Sequence, residues 1–371
     1  MAVRIAELVK DSGGRAFFVG GYVRDLFMNH KSKDIDIEVH GIEFEALQSI
    51  LGTLGKVQAV GASFEILNLR HYRLDISLPG EINGGAKTAA LRRDFTMNAL
   101  MQDVLTGEVL DFFGGLEDID NRIITMVSPR SFLLDPLRVF RAARFSAVLG
   151  FEIDDETAKS ASCVDVASIA SERVMNELAL SLLKSQEPAK FFNALNQMHQ
   201  TGYWFGELKK IPDILNSAAK VRELAHEKLY FMMSALCHEL DDYSCEKFLT
   251  RLTRETDLRN YVLSNKRLLT EMNRADSELA YMRIFDEAFN PEDLLLLYTL
   301  INNSRSECEK YLALYKTRMN APFLTGRDLI SQGFKPGVEL GRALRYAHDL
   351  RLMGLSRDEQ LIRTLKLSWL T

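Results

Sequence analysis

The chain of 371 residues is too long for one compact domain, and its length predicts two to four folded units. Hydrophobic residues make up 47% of it and charged residues 26%, which is the balance of a globular protein with a sizeable buried core. The net charge of −5 excludes a positive electrostatic potential over the whole surface, so any contact with nucleic acid must use local patches of basic residues.

The cysteine pattern and the hydropathy predict a cytoplasmic location. The four cysteines have neither a CxxC pair nor metal-ligand spacing, which predicts buried free thiols in a reducing compartment; they are Cys163, Cys237, Cys245 and Cys308. We expect no signal segment, and no apolar run is long enough to cross a bilayer. The sequence therefore predicts neither a membrane nor a protein partner.

The first three predicted elements lead to a phosphate-binding turn. They are a short amphipathic helix over residues 1–11, a strand over 17–19 and a helix over 22–28. Gly20 and Gly21 separate the strand from the second helix, and glycines let the backbone approach a bulky anion closely. Arg24 lies in the first turn of that helix. This arrangement predicts a site that holds phosphate groups.

The next strand, over residues 34–39, alternates acidic and aliphatic residues strictly. With a period of two, the aliphatic residues point into a core while Asp34, Asp36 and Glu38 share the opposite face. Neighbouring carboxylates repel each other unless a cation lies between them, and Mg²⁺ is the hard ion that takes carboxylates together with substrate phosphates. The pattern predicts a Mg²⁺ site at Asp34 and Asp36, although an edge strand with a solvated acidic face fits the alternation alone.

Further elements follow in the same part of the chain. They are a helix over residues 41–54 and strands over 57–60, 64–69 and 72–78. Asp75 in the last strand is flanked by aliphatic residues and is either a third carboxylate near the metal or a solvated aspartate. Residues 79–90 contain glycines but no hydrophobic periodicity, which predicts a mobile loop.

A polar block over residues 91–99 is predicted to open a helix. It places Arg92 and Arg93 beside Asp94 and Asn98, an unusual way to build a surface helix, although a salt-bridged helix start is the simple alternative. Residues 109–115 then predict a strand that ends in a glycine turn.

A basic helix is predicted over residues 135–145. Asp135 is its predicted N-cap, and Pro136 takes the first helical position, where its missing N–H costs nothing. Arg138, Arg141 and Arg144 then recur at every third residue along one side of the helix. The spacing alone fits either a ligand-binding surface or a basic solvated face.

Together these motifs resemble the nucleotidyltransferase family, and most closely the bacterial class II tRNA nucleotidyltransferases and poly(A) polymerases. The GGxVRD, DxD, RRDFTxNA and DPLRxxRxxRF motifs match Gly20, Gly21, Val23, Arg24, Asp25, Asp34, Asp36, residues 92–99 and residues 135–145. The resemblance is densest before Phe145 and extends to Gly341.

The resemblance implies roles for individual residues. Asp34 and Asp36 are implied to be catalytic ligands of Mg²⁺. The implied nucleotide-binding residues are Gly20, Gly21, Arg24, Arg92, Arg93, Asn98, Asp135, Arg138, Arg141 and Arg144. Asp135 and Arg138 are implied to read the base, since C and A present an amino group beside a ring acceptor while U and G do not. Many family members have an acidic residue before this aspartate, where the present chain has Leu134.

Later segments are predicted to be helical almost throughout. Residues 171–178 resemble the ERxxxEL element that braces the base-reading helix, and no catalytic role is assigned to them. Cations between residues 251 and 274 either line an RNA backbone or form a mixed solvated surface with nearby acids. Residues 324–337 resemble the tail element with which bacterial tRNA nucleotidyltransferases grip tRNA. His238 and Glu239 are not followed by the aspartate of an HD metal site, so no phosphohydrolase activity is predicted.

We therefore predict an α+β protein with a small nucleotidyltransferase head (1–129), followed by a helical neck (130–190), body (191–310) and tail (311–371). The predicted reaction is two-metal, Mg²⁺-dependent addition of C and A from CTP and ATP to the tRNA 3′ end, with release of pyrophosphate. One alternative is a CC-adding enzyme, because residues 79–92 look short for the family's loop. Others are a poly(A) polymerase and a catalytically silent RNA-binding protein.

Overall fold

The computed structural model describes residues 1–31, 35–60, 66–69, 74–79, 85–303 and 306–367. The chain forms two compact units, Met1–Gly206 and Glu207–Thr371. The finer boundaries predicted after residues 129, 190 and 310 stay predictions.

A mixed seven-stranded sheet lies in the first unit. Its strands are β1 (Arg15–Val19), β2 (Ile35–His40), β3 (Val57–Val60), β4 (Ile66–Leu69), β5 (Leu74–Ser77), β6 (Met101–Asp103) and β7 (Val109–Leu110). They lie in the order β3-β4-β5-β2-β1-β6-β7. β1 pairs antiparallel with β2 and β6, whereas β2 pairs parallel with β5. Strands β8 (Ile123–Ile124) and β9 (Glu152–Ile153) form a separate parallel pair.

Helices pack on the sheet and continue the first unit beyond it. They are α1 (Ala2–Asp11), α2 (Gly21–Phe27), α3 (Phe44–Leu54), α4 (Gly85–Leu91), α5 (Gly115–Asn121), α6 (Arg130–Leu134), α7 (Arg138–Leu149), α8 (Asp155–Ser162), α9 (Ser171–Lys184), α10 (Ala189–Gln197) and α11 (Gly202–Phe205), with a 3₁₀ helix at Thr96–Asn98. Ile37 and Val39 of β2 are fully buried in one cluster with Ile5 of α1 and Leu47 of α3. The predicted core face of this strand is confirmed, because its period of two places alternate side chains under the helices.

The second unit is helical in the residues described. Its helices are α12 (Ile214–Val221), α13 (Lys228–Cys237), α14 (Asp242–Leu252), α15 (Thr256–Met272), α16 (Glu278–Glu287), α17 (Pro291–Asn302), α18 (Ser306–Asn320), α19 (Gly326–Ser331), α20 (Val338–Leu352) and α21 (Arg357–Leu367), with a 3₁₀ helix at Arg222–Leu224. Phe231, Phe248 and Phe285 are fully buried within it. The predicted fold class, an α+β head followed by helices, is confirmed. None of the described helices combines the length and the apolar character that crossing a membrane requires.

The loop predicted over residues 79–90 is wrong in its second half, where α4 begins at Gly85 and ends at Leu91. Residues 80–84 lie outside the described part of the chain. Alanine and leucine favour the helix, and Ala90 is buried in one cluster with Phe17 and Val19 of β1. The polar block at 91–99 therefore follows the end of one helix instead of opening a longer one.

The prediction of buried thiols holds for three of the cysteines and is wrong for the fourth. Cys237, Cys245 and Cys308 are buried, whereas Cys163 is exposed at the C-terminal end of α8. All four are free thiols.

Candidate active site

One pocket of about 480 Å³ lies in the first unit. Its walls include every residue predicted to bind the nucleotide: Gly20, Gly21, Arg24, Arg92, Arg93, Asn98, Asp135, Arg138, Arg141 and Arg144. Asp36 also lines it, whereas Asp34 lies outside the described residues. Four further lining residues were not among the predicted site residues, namely Asp94, Leu137, Phe145 and Arg173. Segments far apart in the sequence thus contribute to one cavity.

The glycine turn between β1 and α2 has a conformation that favours glycine. Gly20 has φ 67° and ψ −138°, a left-handed backbone that L side chains rarely adopt. A Cβ at this position would lie 3.4 Å from Arg93 Nη1 and 3.5 Å from Asp36 Oδ2. The missing side chain therefore keeps open a small space between a guanidinium and a carboxylate.

Asp36 lies beside a second carboxylate in the sheet. Its register partner on the parallel strand β5 is Asp75, so the two side chains share one face of the sheet. Asp75 is exposed and accepts a hydrogen bond of 2.6 Å from Asn68 Nδ2. Within the described residues, no group of three or more His, Cys, Asp or Glu side chains is arranged to hold a metal. Asp34, the predicted partner of Asp36, lies outside that part of the chain.

Glu38, the third acid of the strand, orients Arg93. It is buried, and its two carboxylate oxygens accept hydrogen bonds from Arg93 Nη2 and His40 Nε2, each at 2.8 Å. Burial alone would raise the pKa of Glu38, but the contacts with His40 and Arg93 outweigh it and lower the pKa below its ordinary value. The carboxylate thus fixes the arginine at the edge of the glycine turn.

Arg24 connects two of the motifs. It is nearly buried, and its Nε and Nη2 donate to Asp25 Oδ1 at 2.9 and 2.6 Å. Its Nη1 donates to Asn98 Oδ1 at 2.9 Å, and Asn98 Nδ2 donates in turn to Asp94 Oδ1 at 3.0 Å. The GGxVRD turn and the RRDFTxNA block are therefore joined by a direct chain of hydrogen bonds.

Asp94 extends this chain to α7. Its Oδ2 accepts a hydrogen bond of 2.8 Å from Arg141 Nε, and its Oδ1 accepts the backbone N–H of Phe95 at 2.8 Å. Burial alone would raise the pKa of Asp94, but Arg141, Asn98 and the Phe95 N–H together hold it below its ordinary value. Asp94 is therefore a buried carboxylate that ties α7 to the head, a role that its place in the motif did not reveal.

Phe145 lies at the centre of the arginines. Its ring centre is 4.0 Å from the guanidinium carbon of Arg144, 5.2 Å from that of Arg24 and 5.5 Å from that of Arg141. The negative face of an aromatic ring attracts cations at these distances. Arg144 also donates to Glu177 of α9, so its guanidinium is held from both sides. Phe145 therefore helps to order three cations in the pocket wall.

The predicted N-cap role of Asp135 is wrong. α7 begins at Arg138 with Leu137 at its N-cap, and Asp135 is extended, with φ −147° and ψ 99°. Pro136 and Leu137 form a turn before the helix, and Asp135 Oδ1 accepts the N–H of Leu137 at 3.2 Å. The side chain therefore caps this turn instead of the helix itself.

The two residues predicted to read the base have other partners in this structure. Both oxygens of Asp135 accept from Arg173 Nη2, at 3.2 Å for Oδ1 and 3.0 Å for Oδ2. Arg138 donates to the carbonyl of Arg93 at 3.0 Å and to that of Arg92 at 2.5 Å. Burial lowers the pKa of Arg138, despite the nearby Asp94. Asp135 and Arg138 line the same pocket, each oriented by a neighbouring segment.

In the second unit, several of the predicted RNA-facing cations form ion pairs. Arg251 contacts Glu207, Arg267 contacts Glu271 at 2.9 Å, and Lys266 lies 3.7 Å from Asp242. These pairs favour the mixed solvated surface that was the alternative. Residues 324–337, which resemble the tail element, contain α19 and lead into α20, and Thr325 and Asp328 form a capping box at the start of α19.

Comparison with known proteins finds similarity to the head and to longer parts of the chain. Residues 16–125 match the family model of the Poly A polymerase head domain. The chain is 26% identical over 400 residues to an A-adding tRNA nucleotidyltransferase of Geobacter sulfurreducens, a match that covers 95% of this chain and 45% of that protein. It is 34% identical over 216 residues to a CCA-adding enzyme of Geobacillus sp., covering 54% of this chain and 52% of that protein. The matches thus span about half the length of these relatives.

A solved structure supports the same fold. The Thermotoga maritima CCA-adding enzyme complexed with tRNA superposes with a TM-score of 0.72 at 22% identity, covering 98% of this chain and 93% of that one. The resemblance that the motifs indicated is confirmed by these comparisons.

Proposed function

We propose that this protein, whose residues 16–125 match the family model of the Poly A polymerase head domain, is a template-independent tRNA nucleotidyltransferase. In the proposed reaction the 3′-hydroxyl of a tRNA attacks the α-phosphate of CTP or ATP, and pyrophosphate leaves. The proposal is carried by one observation: the glycine turn, Asp36, the arginines and the pair Asp135 and Arg138 all line the same pocket. A pocket lined by charged groups of this kind can bind both a triphosphate and a base.

The residues fit Mg²⁺. Carboxylate oxygens are the ligands that Mg²⁺ prefers, together with substrate phosphates. Asp36 Oδ2 borders the space that a Cβ at Gly20 would fill, so an ion held by Asp36 has room beside the glycine turn. Asp34 is its proposed partner from the sequence alternation. When bound, such ions supply Lewis acidity that lowers the pKa of an attacking hydroxyl and neutralises charge on the leaving phosphate.

The protein's own cations would hold the triphosphate. Arg93 is fixed by Glu38 at the glycine turn, and Arg92 adjoins it with an exposed side chain. Arg24 keeps its guanidinium in the pocket wall through Asp25 and Asn98. Because these groups are oriented before a nucleotide arrives, they stabilise transferring phosphate charge without reorganising.

Asp135 and Arg138 would select the base. A carboxylate accepts from the amino group of C or A, and a guanidinium donates to the neighbouring ring nitrogen. Arg138 uses only two of a guanidinium's five N–H groups on the carbonyls of Arg92 and Arg93, so donors remain for a base. U and G would leave both protein groups mismatched, and such mismatches are rejected strongly.

The test is to incubate the protein with tRNA that lacks its 3′ end, supply each nucleotide separately and together, and size the products. Addition of C, C and A in turn is the expected result for full CCA synthesis. No addition with any nucleotide would refute the proposal and leave a silent RNA-binding protein.

The relatives favour one further product. The Geobacter sulfurreducens relative, whose match covers 95% of this chain, adds A. Labelling from ATP alone on tRNA that already ends in CC, without C addition to shorter tRNA, would identify an A-adding enzyme. A ladder that ends at CC would identify the CC-adding alternative, and long A tracts would identify a poly(A) polymerase.

A further inference from the structure

Arg173 lies in the nucleotide pocket although its sequence context gave it only a bracing role. Its Nη2 contacts both carboxylate oxygens of Asp135, at 3.2 and 3.0 Å. The side chains remain partly open to solvent, with exposed fractions of 51% for Arg173 and 32% for Asp135. A ligand in the pocket therefore meets a carboxylate that already has a fixed partner.

The position of Arg173 is set by the packing of α9 on α7. Val174 and Leu178 of α9 are fully buried, which fixes the face that the helix turns toward the pocket. Glu177, one turn after Arg173 on the same face, accepts from Arg144 and lies 3.9 Å from Arg141. α9 thus contacts the segment around α7 at two points. Arg173 binds Asp135, and Glu177 binds Arg144 and lies close to Arg141.

Leu134, the residue before Asp135, offers no polar contact to this carboxylate. Its side chain is apolar and 69% exposed. Among the described residues, the N–H of Leu137 and the guanidinium of Arg173 orient the Asp135 carboxylate. Leu137 engages Oδ1 alone, so Arg173 is the group that also fixes Oδ2.

We propose that Arg173 is a positioning residue for base selection, which holds the Asp135 carboxylate in the orientation that accepts a hydrogen bond from the amino group of an incoming C or A. This inference rests on the proposed function and deepens it. A guanidinium is a planar donor that fixes a carboxylate in orientation as well as in charge. Without it the N–H of Leu137 would hold Oδ1 but Oδ2 would lose its partner, so the carboxylate would distinguish an amino group from a carbonyl on the base less sharply.

The test compares Arg173→Gln and Arg173→Lys with the wild-type protein. The two readouts are CTP and UTP binding by calorimetry, and kcat/KM for their addition to tRNA lacking its 3′ end. We expect Arg173→Gln to reduce the CTP-over-UTP preference by about 10- to 100-fold, the effect of one lost hydrogen bond to a charged group. Arg173→Lys should recover part of it, because lysine restores the charge but not the planar geometry of the guanidinium.

Two controls separate positioning from a structural role. Lys184→Gln removes an exposed cation from the last turn of the same helix and should leave the preference unchanged. In an Asp135→Asn background, Arg173→Gln should reduce the preference no further, because its proposed action passes through Asp135. A second reduction of equal size in that background would overturn the proposal.

The outcomes also separate this inference from the proposed function. A wild-type protein that binds CTP over UTP, loses this preference in Arg173→Gln and adds no nucleotide to tRNA would support the role of Arg173 and refute the transferase. Unchanged preference in Arg173→Gln, or no preference in the wild-type protein, would refute the role of Arg173.

Discussion

Replacing Gly20 with alanine tests whether the space at the glycine turn is used by the substrate. The new Cβ would lie 3.4 Å from Arg93 Nη1 and 3.5 Å from Asp36 Oδ2, which is ordinary contact without a clash. It would nevertheless fill the gap between the two groups. The proposed Mg²⁺ and triphosphate would then lose the place in which Arg93 and Asp36 can act on them together.

The magnitude has two parts. An L residue held at the φ of 67° found here costs about 1–3 kcal/mol of unfolding free energy. In a domain of this size, each kcal/mol lowers the melting temperature by about 2–4 °C. Loss of one preorganised group that stabilises transition-state charge costs about 10²–10³ in kcat, so we expect activity to fall by about 100-fold or more.

The matched control is Gly107→Ala, in the turn between β6 and β7. Gly107 also has a positive φ, of 74°, but a Cβ added there would meet no described atom within 4 Å. Both variants should lose similar stability in thermal denaturation, and only Gly20→Ala should lose nucleotide incorporation. Wild-type activity in Gly20→Ala, or an equal loss of activity in Gly107→Ala, would refute the reasoning.

Two further predictions concern the polar network. Phe145→Leu removes the ring that contacts three guanidinium groups, and each of these contacts is worth about 0.5–1 kcal/mol, so this variant should raise KM for the nucleotide. The control is Phe132→Leu, at a buried ring that packs on Phe95, which should lower stability without raising KM. The pKa of folded Asp94 lies below its ordinary 3.8, so the carboxylate contributes stability above that value and loses it as pH falls through the lower folded pKa. Asp94→Asn should therefore lower the unfolding free energy at neutral pH by about 3–5 kcal/mol, and the unfolding free energy of this variant should decrease less in acid than that of the wild-type protein. Urea unfolding at a series of pH values measures both effects, and an unchanged dependence on acid would contradict the prediction.

Local patterns were sufficient to predict the first part of the site. The strict alternation of β2 and the paired glycines before α2 are features of adjacent residues, and both elements form where the sequence placed them. Residues 34 and 80–84 lie outside the described part of the chain, so the second predicted metal ligand and part of the short loop stay predictions.

Local sequence patterns could not predict the contacts between residues that are far apart in the sequence. Arg173 meets Asp135 across 38 positions, and Arg141 meets Asp94 across 47. Periodicity identifies helices but gives no information about which helix faces which pocket, so Arg173 was assigned only a bracing role. The start of α7 was misplaced because an aspartate before a proline is typical of an N-cap, whereas here Pro136 and Leu137 form a separate turn.

The most direct measurement is the incorporation of labelled CMP from CTP into tRNA lacking its 3′ end by the wild-type protein and by Asp36→Ala, with thermal denaturation of both. We predict that the wild-type protein labels the tRNA and that Asp36→Ala, folded equally well, labels it at least about 100-fold more slowly. Labelling at the wild-type rate by Asp36→Ala would contradict the assignment of this carboxylate to the reaction.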